Sequence, residues 1–88
     1  MTTPPAEPPL APELAAALVE LGITDHDEVS LRRAVEQRVP GYNLFRLTPA
    51  AARRWKCRYR LLFDAGYVDG QTTIEVYARG LLSLPTQQ

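Results

Sequence analysis

The chain is poor in reactive side chains. Its 88 residues include one cysteine, Cys57, and one histidine, His26. A single thiol cannot close an internal disulfide, and one Cys with one His cannot complete a four-ligand zinc site. No apolar run reaches the roughly 18 residues of a membrane span. No basic–apolar–small leader pattern opens the sequence. With a lone thiol suited to a reducing compartment, these absences predict a cytoplasmic protein with no membrane contact. Gly-rich phosphate loops, nucleophile elbows and Cys/His metal spacings are missing as well. The sequence predicts no enzyme, no cofactor and no metal.

The two reactive groups that do occur have plain explanations. His26 lies in TDHDE, between Asp25 and Asp27. Consecutive residues at a helix start point in different directions, so they do not converge on an ion, and a solvated capping segment accounts for them. Cys57 has Arg53, Arg54 and Arg60 at helical spacing, and such neighbours would lower a thiol pKa. No second Cys and no nearby His would complete a redox or nucleophilic device, so a small residue at a helix contact, or a free surface thiol, is the simpler expectation.

Net charge is also absent, but only as a sum. Residues 1–45 hold seven acids against three bases, a balance of −4, and residues 46–88 hold seven bases against three acids, a balance of +4. Such polarity suits an acidic partner or contact with a second copy of the chain.

Proline punctuates the start. MTTPPAEPPLAP predicts an extended, disordered tail over residues 1–11. Pro5 and Pro8 have PxxP spacing, but the neighbouring Glu7 and the lack of a nearby Arg favour a solubilising tail over a docking motif. A single domain is expected over 12–84, followed by a disordered C-terminus at 85–88.

Periodicity within that domain predicts four helices. PELAAALVELG has Pro12 and Glu13 at its start, Leu14, Leu18 and Leu21 on one face, and Gly22 to end it. The next segment is capped by Thr24 or Asp25, repeats Leu31, Val35 and Val39, and stops at Pro40-Gly41. GYNLFRL is short and aromatic, a strand or connector without an evident partner.

RRWKCRYRLLF fits two periods. Alternation puts Trp55, Cys57, Tyr59, Leu61 and Phe63 on one side. Helical spacing puts Ala51, Ala52, Trp55, Tyr59, Leu62 and Phe63 on one stripe. Thr48 as a cap, Pro49, three alanines and Gly66 as a stop favour a helix over residues 49–65. TTIEVYARGLL then carries Thr72 with Glu75 as a capping box and Ile74, Tyr77, Ala78, Leu81 and Leu82 at helical spacing. The expected fold is all-α, a small four-helix orthogonal or bundle-like domain. The alternative is α+β with a C-terminal hairpin across Asp69-Gly70.

The functional signal is a run of six bases without an acid over residues 46–60: Arg46, Arg53, Arg54, Lys56, Arg58 and Arg60. Like charges at helical spacing repel by a few tenths of a kcal/mol per pair. A binding partner would relieve that repulsion. The expectation is a non-enzymatic regulatory or adaptor-type interaction module whose basic helix surface docks an acidic protein or a second copy, as a homodimer. The alternative is a helix-turn-helix-like nucleic-acid binder built on the third and fourth helices.

Overall fold

The computed structural model describes residues 10–64 and 66–84. Among them run α1 (Pro12–Glu20), α2 (Glu28–Arg38), β1 (Tyr42–Arg46), α3 (Pro49–Trp55), β2 (Tyr59–Phe63), β3 (Gly66–Gly70) and α4 (Thr73–Ser83). The all-α expectation is overturned: the three strands form an antiparallel sheet in the order β1-β2-β3, and the fold is α+β. The α+β alternative is closer, yet its hairpin sits elsewhere. Strand β3 pairs back onto β2, with Phe63 opposite Gly66, while TIEV belongs to α4. The expected tail at 1–11 and C-terminus at 85–88 fall almost wholly outside the described residues. Leu10, within the expected tail, packs part-buried against the core.

Helices α1, α2 and α4 form where local signals are strong, although Ala11, the N-cap of α1, supplies no side-chain cap. At the end of α1, Gly22 has φ 86°; its N–H donates to the Val19 carbonyl at 2.9 Å, and the Ile23 N–H donates to the Leu18 carbonyl at 2.9 Å. This pair of bonds is the Schellman closure, which needs a residue tolerant of positive φ. Helix α2 is capped by Asp27 rather than Thr24 or Asp25; the Ser30 N–H donates to its carboxylate at 3.1 Å. In α4 the Glu75 N–H donates to the Thr72 hydroxyl at 3.0 Å, and the Glu75 carboxylate accepts from the Gln71 N–H at 2.8 Å. The capping box is thus closed one residue further back than its usual form.

The segment at residues 49–65 is not one helix. Helix α3 stops at Trp55, where Lys56 adopts the left-handed conformation at φ 60°, ψ 37°. From Cys57 the chain is extended. Cys57, Tyr59, Leu61 and Phe63 turn inward, and Leu61 is wholly buried between Leu44 of β1 and Val68 of β3 in the register. Both periods of RRWKCRYRLLF are therefore real, one on each side of Lys56. Gly66, the expected helix stop, instead opens β3 at φ 147°, a conformation that favours glycine.

Helix α4 organises the core. It lies on the inner face of β2 and β3 and packs against α1 and α2. Leu18, Leu31, Val35, Leu61, Val76, Tyr77, Ala78 and Leu81 make one buried cluster. Gly80 marks a close approach of helix to sheet: a Cβ there would lie 2.7 Å from Leu61 Cδ2. Among the described residues no helix is long and apolar enough to cross a membrane.

Candidate binding surface

Two adjoining features arise around α3 and the sheet. The first is a cleft of about 750 Å³ between α3 and the β1–β2 edge. Arg46, Arg53, Lys56 and Arg58 line it together with Cys57 and Gln71, and no carboxylate does. Backbone geometry places these cations. Thr48 caps α3 by accepting from the Ala51 N–H at 3.2 Å. The left-handed turn at Lys56 is tied down by Gln71, whose side-chain amide donates to the Lys56 carbonyl at 2.7 Å. Arg58 bridges the sheet: its N–H donates to the Gly70 carbonyl at 3.0 Å, and its carbonyl accepts from Leu47 N–H at 2.9 Å.

The second feature is the sheet face away from α4. The register sets Phe45, Arg60 and Asp69 in one row and Asn43, Leu62 and Tyr67 in the next. Phe45 is 46% exposed, Tyr67 56%, and Trp55 at the end of α3 54%. Arg60 lies among them. Its guanidinium is 5.4 Å from the centre of the Trp55 ring and 4.3 Å from that of Tyr67. It donates to both Asp69 carboxylate oxygens, at 2.7 and 3.1 Å. Arg54 stands over Trp55 at 5.7 Å.

The six cations expected to serve a basic helix surface are thus divided. Arg46, Arg53, Lys56 and Arg58 gather at the cleft, and Arg54 stands beside Trp55. Arg60 is already neutralised by Asp69. Among the described residues only Arg60 and Arg79 form ion pairs with carboxylates, so the other five site cations have no such partner. Trp55, expected inside, is outside. Tyr59 does pack against the core. The helix-turn-helix of the alternative is not built from α3 and α4, because β2 and β3 separate them.

Electrostatics follow from this placement. The Arg60 guanidinium holds the Asp69 carboxyl below its ordinary value. Cys57 is buried, and burial, reinforced by the Asp69 charge, pushes its thiol up. The expected lowering by arginines is reversed, because only Arg60 acts that way and it is outweighed. Elsewhere burial and a hydrogen bond to Glu36 push Tyr42 up to about 12. Among the described residues no group of three or more His, Cys, Asp or Glu side chains could hold a metal ion.

Phe45, Leu62, Tyr67 and Asp69 were not singled out from the sequence as surface residues of a site. Alternation in YRLLF and YVDG carries the signal, since it sends Arg60 and Leu62, Tyr67 and Asp69 to one face. Compared with known protein families, characterised proteins and solved structures, the chain matches none.

Proposed function

We propose that the chain is a non-enzymatic protein-interaction module that docks an acidic partner on the surface shared by α3 and the open sheet face. One observation carries this reading: exposed Trp55, Tyr67 and Phe45 surround a clamped Arg60, beside five cations that pair with no carboxylate among the described residues. Trp, Tyr and Arg are the side chains that most often dominate protein interfaces, and a rigid, apolar centre with a charged rim is their usual setting. Monomeric proteins rarely leave such patches uncovered. The buried, protonated Cys57 offers no ready nucleophile, in keeping with a binding role. A free thiol also supports the cytoplasmic setting.

Trp55 is the chain's sole tryptophan and reports directly on this surface. Its emission should shift when an acidic peptide rich in Glu and Leu is added at low salt. The Arg54→Glu/Lys56→Glu variant should lose that response. Absence of any shift with the peptide overturns the reading. A shift with an oligothymidine strand and none with the peptide would put single-stranded nucleic acid in the partner's place, since bases also stack on exposed rings beside cations.

A further inference from the structure

We propose that the partner is a second copy of this chain, docked head to tail. The base-rich, aromatic surface of one molecule takes the acidic corner between α1 and α2 of the next. The proposal rests on the protein-docking reading above and names its partner.

The corner is the complement of that surface in both charge and polarity. Residues 19–29 contain Glu20, Asp25, Asp27 and Glu28 and no Lys or Arg. Residues 46–58 contain Arg46, Arg53, Arg54, Lys56 and Arg58 and no acid. The corner is also apolar: Val19, Leu21 and Val29 are 51%, 47% and 45% exposed. Acid with exposed aliphatics on one side faces base with exposed rings on the other.

Among the described residues these charges find no ion-pair partner within the molecule. The two ion pairs among the described residues, Arg60–Asp69 and Arg79–Glu75, involve neither segment. Asp27 is engaged by Ser30 as a helix cap, which leaves Glu20, Asp25 and Glu28 for a neighbour. Formal net charge is zero, so two copies meet without net repulsion while their local fields attract. Because the two patches differ, the contact is heterologous. Each docked pair keeps one free basic surface and one free acidic corner, and association continues into chains unless its rotation closes a ring.

The test uses two variants of the full chain. Arg54→Glu/Lys56→Glu removes the basic half, and Asp25→Lys/Glu28→Lys removes the acidic half while sparing the Asp27 cap. Sedimentation of the unaltered chain should show an average mass that rises with concentration past the dimer, with an affinity that falls about tenfold or more as salt is raised. Each variant alone should stay monomeric. Their equimolar mixture should associate again, since the unaltered basic surface of one variant meets the unaltered acidic corner of the other.

Carbodiimide coupling adds a local readout. Lys56 is the only lysine, so a zero-length link from its amine to Glu20, Asp25 or Glu28 of a differently isotope-labelled copy identifies the contact. A chain that remains monomeric at all concentrations and low salt overturns the proposal. So does undiminished association of the Asp25→Lys/Glu28→Lys variant, which would place the second copy's contact elsewhere. In either case a Trp55 response to the acidic peptide leaves the docking reading standing, so the two can fail separately.

Discussion

The two faces of the sheet are built from the same strands and differ in what lies over them. Inward, Leu61, Phe63 and Val68 meet α4 at Gly80, and Leu61 is fully buried. Outward, the next residues along the same strands are Arg60, Leu62, Tyr67 and Asp69, with Phe45 and Trp55 beside them, and none of the described helices packs over that face. An antiparallel sheet with one solvated face ordinarily alternates apolar and polar residues. Here the solvated face keeps three aromatic rings. The inner face explains why the domain folds, and the outer face holds apolar area that folding does not need.

The largest test of that contrast is Leu61→Ala against Trp55→Ala. Leu61→Ala removes a filled position under α4 and should cost about 2–5 kcal/mol in denaturant unfolding. In a domain this small, that is a large part of total stability. Trp55→Ala should change stability by about 0.5 kcal/mol or less, as for other surface sites, yet weaken binding of the acidic peptide by about tenfold or more, followed by calorimetry because the variant keeps no tryptophan to report it. Comparable losses of stability in the two variants would mean that both faces serve the fold.

Gly80→Ala sharpens the inner half. The new methyl would gain about 1 kcal/mol of helix propensity. It would also sit 2.7 Å from a Leu61 methyl that has no free space. Overpacking of this kind typically costs about 1–3 kcal/mol, so a net loss is expected. A more stable Gly80→Ala protein would show that α4 can lift off the sheet without penalty.

The same two faces explain what could be read from the sequence. Helix α4 was legible from its Thr72 cap and apolar stripe, and α1 from Pro12, its leucine face and its Gly22 stop, because these signals agree with the core the helices join. Segment α3–β2 was not. Residues 55–63 satisfy both periods, and the choice between them is made by partners distant in sequence, Leu44 and Val68, which flank Leu61. No glycine announces the turn at Lys56. The helical period puts Leu62 and Trp55 in the core, whereas the strand sends Leu62 out and the end of α3 leaves Trp55 exposed. The cations were visible as charge. Their division between a cleft and a ring-clamped pair depends on the Arg60–Asp69 register, which local patterns do not set.

The outer face should also carry a modest acid sensitivity. Asp69 titrates below its ordinary value of 3.8 because Arg60 bonds its charged form. A lowered native value means stability that is complete above the unfolded value and lost as pH falls through it toward the native one. The pair is part-exposed, so solvent screening keeps its contribution small. Thermal melts of Asp69→Asn and the unaltered chain should differ at pH 7, and the gap should close below about pH 3.8. A gap that persists at low pH would assign Asp69 a packing role instead.

The smallest effect concerns Lys56, where the two features join. A β-carbon in the left-handed region costs about 1 kcal/mol relative to glycine, and helix ends commonly use glycine there. Lys56→Gly should therefore leave the fold as stable or more stable by up to about 1 kcal/mol, because the Gln71 bond is to the Lys56 carbonyl and survives the change. Its partner affinity should fall, since one of the four cleft cations is gone. A strained lysine retained where glycine would fold better is what a surface selected for charge would show. Should Lys56→Gly instead destabilise the domain with binding unchanged, the lysine stem would be packing against the cleft wall, and the positive charge at that turn would be incidental.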